Sequence, residues 1–195
     1  MNSKTYEVDG WFGLVPEQSI GYITAGKNHI YATSRWLNSG LPYKFEDKFW
    51  LLRLDTGCNI VWSEQFELGQ FPECVAVVGD RLFMSMRDRL DNKAKIYVYD
   101  EQTMEKVFIK ELESLGKISR NEIEEKCVRA FLPYGEDKLV VFIDNKAHLV
   151  DAVTLQILQT AQLDDVPHGS TALAIGKDKT IYFALTEKLY RLVFD

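Results

Sequence analysis

Four short apolar segments each end in aspartate, with a turn or the end of the sequence after it. They are Trp50-Leu51-Leu52-Arg53-Leu54-Asp55, Ile96-Tyr97-Val98-Tyr99-Asp100, Ala147-His148-Leu149-Val150-Asp151 and Leu189-Tyr190-Arg191-Leu192-Val193-Phe194-Asp195, and their aspartates lie 45, 51 and 44 residues apart. A repeat of roughly 40–45 residues with several strands per unit is the mark of propeller blades. A second pattern runs in step with the first. Gly26, Gly79, Gly135 and Gly176 each open a short polar turn that leads into an apolar strand. Glycine supplies the positive φ that tight hairpins demand. An apolar strand also precedes each glycine: Ile20–Thr24, Cys74–Val78, Val128–Leu132 and Thr171–Ile175.

Each unit therefore reads as strand a, glycine hairpin, strand b, loop, strand c, aspartate turn and strand d. Strands a and b are apolar almost throughout, as in Val75-Ala76-Val77-Val78 and Leu139-Val140-Val141-Phe142-Ile143. Such runs fit strands packed between neighbouring sheets. Strands d alternate polar and apolar residues, as in Lys106-Val107-Phe108-Ile109-Lys110, and alternation marks a half-exposed outer strand.

The expected fold is all-β: one domain, residues 1–195, folded as a four-bladed β-propeller of four-stranded antiparallel blades. The blades cover about 18–68, 72–112, 127–163 and 170–195. The last unit reaches Asp195 without a strand d, while Lys4-Thr5-Tyr6-Glu7-Val8 alternates like one. That N-terminal strand is expected to complete the last blade, which would remove an edge. The rival readings are part of a larger ring and an open arrangement of the same strands. With its Asp55-Thr56-Gly57 turn, the chain resembles propellers of the quinoprotein-like or YVTN-like type. The resemblance covers the whole chain as a blade pattern and implies the fold, not a function. No Trp-Asp dipeptide ends a strand c, so the WD40 pattern fits less well.

Insertions in a repeat protein map to loops on one face. Two stand out: 36–48 between strands b and c of the first blade, and 113–126 between the second and third blades. Loops b–c and d–a leave a blade on the same side, so both insertions crowd one rim. In the second, Ser119 and Glu122 form a capping box, with Ile118 and Ile123 at the staple positions. A short helix is expected from about Arg120 to Lys126. The rim's candidate binding residues are Trp11, Trp36, Tyr43, Phe45, Phe71, Arg87, Arg89 and His168. Aromatic and arginine side chains are enriched at interface hot spots.

Charge and motifs narrow the function classes. The net charge of −6 speaks against nucleic acid, and no apolar run approaches the ~20 residues of a membrane helix. An acidic surface suits a basic protein partner. Cys58, Cys74 and Cys127 form no CxxC pair, and no zinc site is expected. The N-terminus shows no signal-peptide pattern, so a cytoplasmic location is expected. No phosphate loop, GxSxG, HExxH or EF-hand pattern is present, so no catalytic residue, metal or cofactor is assigned. Asp88, Asp91 and Asn92 could be read as a calcium site, but a loop of solvated charges is the preferred reading. Together these point to a non-enzymatic protein-binding module, such as an inhibitor or immunity protein that neutralises a toxin or enzyme. The alternative is a small-molecule or carbohydrate-binding propeller, with hydrolase or lyase chemistry from rim acids and His168.

Overall fold

The computed structural model describes residues 18–36, 48–88, 93–111, 128–143, 145–164, 173–185 and 188–194. Every element in them is a strand. The first sheet runs β1 (Gln18–Ala25), β2 (Ile30–Trp36), β3 (Trp50–Leu54) and β4 (Ile60–Gln65). The second runs β5 (Gln70–Val78), β6 (Arg81–Asp88), β7 (Lys93–Asp100) and β8 (Lys106–Glu111). The third runs β9 (Ala130–Pro133), β10 (Lys138–Ile143), β11 (Lys146–Asp151) and β12 (Ile157–Gln162). The fourth holds β13 (Leu173–Ile175), β14 (Ile181–Leu185) and β15 (Lys188–Leu192). All pairings are antiparallel between sequence neighbours. The chain is a four-bladed β-propeller. The expected closure by Lys4–Val8 and the expected helix from Arg120 to Lys126 lie outside the described residues.

Burial follows the strand roles. β4, β8 and β12 share one pattern of alternating exposed and half-buried positions, as outer strands do. β6 and β10 are buried almost end to end. The blades meet through shared apolar cores. Tyr31 and Leu51 pack with Leu82, Met84 and Tyr99 between the first two blades. Phe83 and Ile96 pack with Phe131 and Val141 between the second and third. Phe142 meets Phe183 edge-on at 5.8 Å between the third and fourth. Each such buried side chain contributes about 1.5–3 kcal/mol.

The turns repeat as chemistry. Asp100 Oδ1 accepts hydrogen bonds from the backbone of Gln102 and Thr103 and from the Thr103 hydroxyl. Asp151 does the same with Val153 and Thr154. Asp55 uses Gly57 and Asn59 instead. The hairpin glycines divide into two kinds. Gly79 and Gly135 have φ of +60° and +76°, as a tight turn requires. Gly26 is needed for space, since a Cβ there would lie 2.6 Å from Glu101 Oε1 and 2.8 Å from the Tyr31 ring. That crowding marks a tie between blades: the Tyr31 hydroxyl donates to Glu101 at 2.9 Å. Burial, above all, raises the Tyr31 pKa, so the phenol stays protonated and donates.

Candidate functional site

The b–c and d–a loops leave from one end of the blades, and the strand ends there carry the candidate site. Each well-defined seam is built on an irregularity in strand a. In β1 the register shifts between Ile20 and Tyr22, and in β5 between Pro72 and Val75. Counted back from the aspartate turns, Arg53 and Val98 each stand two residues before the aspartate, and they pair with Tyr31 in β2 and Phe83 in β6, two residues before Thr33 and Ser85. Thr33 and Ser85 are therefore equivalent, and so are Arg35 and Arg87 two positions on.

Thr33 is fully buried and joins the first two blades. Its Oγ1 accepts from the Tyr22 amide at 3.2 Å and donates to the Glu73 carbonyl at 3.3 Å. In the next seam the bond to the following blade comes from another atom: Cys74 Sγ donates to the Arg129 carbonyl at 3.2 Å. Ser85 is 2% exposed, and its Oγ has no hydrogen-bond partner.

Charged groups gather at this end. Arg87 Nη2 lies 3.2 Å from Glu73 Oε1, with both side chains mostly buried. The Arg87 guanidinium also sits 5.3 Å from the centre of the Phe71 ring, a cation–π arrangement. Beside it, Asp88 is 3% exposed and accepts from Lys95 Nζ at 3.1 Å and Gln70 Nε2 at 2.9 Å. The reading of Asp88 as part of a solvated loop is thus corrected: it is a buried carboxylate held by a cation and an amide. No group of three metal-ligating side chains occurs among the described residues.

Of the candidate binding residues, Arg87 and Phe71 come together here. Phe71 is only 6% exposed and stacks obliquely on Phe49 at 5.2 Å, so it supports the rim from beneath. Trp36 ends β2 on the same side. Trp11, Tyr43, Phe45, Arg89 and His168 lie outside the described residues. Sequence reasoning passed over Glu73, Lys95 and Arg129. A usable signal existed: Glu73 and Arg129 both stand six residues before a hairpin glycine.

A groove of about 670 Å³ lies along the outer side of the second seam, between β7–β8 and the third blade. Phe108, Ile109, Ile143, Val150 and Ile157 make it largely apolar, and His148 lies on its wall. At its turn end, Lys110 Nζ donates to the Leu155 carbonyl at 2.8 Å. Arg81 Nη1 donates to the Val153 carbonyl at 2.7 Å. His148 Nδ1 is 2.9 Å from Thr160 Oγ1. The opposite rim carries the aspartate turns, in which Oδ1 of Asp100 and of Asp151 is bonded within its own turn. Hydrogen bonds from Thr103 and Thr154 hold Asp100 and Asp151 below the ordinary carboxylate pKa.

No protein-family model matches the chain, and no curated protein does. Solved structures do. A Bacteroides caccae protein of unknown function superposes with a TM-score of 0.59 at 10% identity, over 93% of this chain and 59% of its own. The Dos1 propeller gives 0.55 at 10% identity, over 89% of this chain and 41% of its own. Streptogramin B lyase gives 0.52 at 15% identity, over 93% of this chain and 56% of its own. The chain thus spans roughly half the length of these structures, and the likeness is one of fold. No helix among the described residues is long and apolar enough to cross a membrane.

Proposed function

We propose that the protein is a binding module that engages another protein through the rim carrying the two insertions, and that it is not an enzyme. The observation that carries this reading is the cluster of Phe71, Glu73, Arg87, Asp88 and Lys95, where arginine, aromatic and paired charges are held in place and mostly buried at the end of the second blade. A preorganised arginine loses little freedom on binding and reads planar acceptors. The opposite rim consists, among the described residues, of short turns bonded within themselves or to the neighbouring blade. The finer reading is an inhibitor or immunity protein acting in the cytoplasm, which blocks a basic toxin or enzyme; the net charge of −6 supports attraction to such a partner. The test is covalent capture of a partner from the native host, followed by affinity measurements on purified variants. Arg35→Ala and Arg87→Ala should each weaken binding by about 2 kcal/mol, while Lys177→Ala and Asp178→Ala leave it unchanged. Loss of binding in the turn variants alone would place the contact on the other rim.

The alternative is a site for a small molecule, with a carbohydrate ligand and hydrolase or lyase chemistry as its narrower form. The arginines at the seam mouth favour an anionic ligand over a neutral sugar.

A further inference from the structure

The outer strands share one frame. Each carries a bulge next to its aspartate turn, and just before the bulge Arg53, Val98 and Leu149 pair with Trp62, Phe108 and Gln159. Trp62 and Phe108 are therefore equivalent, and so are Glu64 and Lys110 two positions on. On the blades they face, Tyr97, Tyr99 and Lys106 correspond to His148, Val150 and Ile157.

In the first seam the outer wedge between blades is filled. Trp62 meets Tyr99 edge-on at 6.2 Å. Glu64 accepts from the Tyr99 hydroxyl at 3.1 Å and pairs with the Lys106 ammonium, which lies 5.2 Å from the centre of the Tyr97 ring. In the second seam Phe108 takes the place of the indole, His148 and Val150 take the places of the two phenols, and Ile157 takes the place of the lysine. Smaller side chains leave the wedge open, and the groove of about 670 Å³ lies there, lined by all four. Sites for small molecules have this size, roughly 300–1,000 Å³, and this apolar lining with a few polar groups.

The charge is inverted as well. Lys110 stands where the first seam has an acid, and the residue opposite it is a neutral isoleucine. Lys110 Nζ donates to the Leu155 carbonyl at 2.8 Å, and it has no acidic partner among the described residues. An ammonium has three donors, so that bond leaves it able to hold a further acceptor. Glu111 also borders the groove but is exposed to solvent.

We propose that the wedge between the second and third blades binds a small aromatic carboxylate, its ring between Phe108 and Val150 and its acid on Lys110 Nζ. The ligand class follows from what the first seam packs into the same space, aromatic rings and a carboxylate. The groove lies on the outer side of the ring rather than on either rim, so this goes beyond the protein-binding reading and is tested without a partner.

The test is calorimetric titration of the full chain with 1-naphthoate and with its neutral isostere, 1-naphthamide. Naphthoate should saturate at one molecule per chain and bind about tenfold tighter than the amide, the worth of one charge-assisted contact. Lys110→Met should abolish that preference and leave the affinity for the amide as it was. Phe108→Trp and Val150→Tyr restore the residues of the first seam, and each should weaken naphthoate about tenfold or more by occupying its space. Phe108 is half-buried, so Phe108→Trp should melt like the native chain, and loss of binding there is not loss of fold. Absence of saturable naphthoate binding would overturn the proposal. So would equal affinity for acid and amide, a preference for the acid that survives Lys110→Met, or undiminished binding by a folded Phe108→Trp chain.

Discussion

Asp100 and Asp151 carry the same task in adjacent blades, each turning the chain by gathering two amides and a threonine hydroxyl onto one carboxylate oxygen. Those bonds favour the charged form and depress both pKa values below 3.8. Asp55 and Asp178 are depressed in the same direction, chiefly by Asn59 and Thr180. The unfolded chain holds the same protons more tightly. Their contribution to stability is therefore complete above the unfolded value, near pH 4, and is lost as pH falls through the lower folded values. The melting temperature should fall as pH drops below about 4. An Asp100→Asn, Asp151→Asn double variant keeps the acceptors but not the titration, so its acid profile should be flatter. Identical profiles for variant and native chain would remove the turns as the cause. These turns were legible in the sequence because an aspartate cap is local chemistry. Gly26 was not: its lack of a Cβ answers to Glu101, a residue of the next blade.

Among the elements, the seams are fixed by pairs that no linear pattern announces. Thr33 serves two backbone groups in two blades, whereas its counterpart Ser85 serves none. Thr33→Val keeps the shape and strands both groups, so it should cost about 1–3 kcal/mol in a denaturant titration. Ser85→Ala should cost close to nothing. Equal losses would mean that the two positions are not the contrasting pair described. The strands themselves were readable, since β4, β8 and β12 alternate and β6 and β10 do not. Arg129 was passed over because its meaning depends on strand register. Only with β5 and β9 side by side does Cys74 Sγ reach the Arg129 carbonyl. Asp88 was misjudged for a related reason: its partner Lys95 sits across a hairpin, on β7.

The whole molecule joins a repeated frame to an unequal pair of rims. Three blades have four strands each, and the last has β13, β14 and β15 among the described residues. We propose that Lys4–Val8 supplies the missing outer strand. A chain lacking residues 1–8 should then lose several kcal/mol of stability, on the order of one strand's burial. A truncated chain that melts like the full one would exclude that closure. The sequence carried the blade count because the repeat is long-ranged and regular. The site it could place only by face, since its rings and charges had no spacing of their own. The central claim is that the insertion rim, not the turn rim, is the working surface. The most direct measurement is amide hydrogen exchange of the protein alone and in complex with its captured partner. The account predicts slowed exchange in 70–73, 85–88 and 93–95 on binding, with 55–59, 100–105 and 151–156 unchanged. Protection confined to the three turn segments would contradict it.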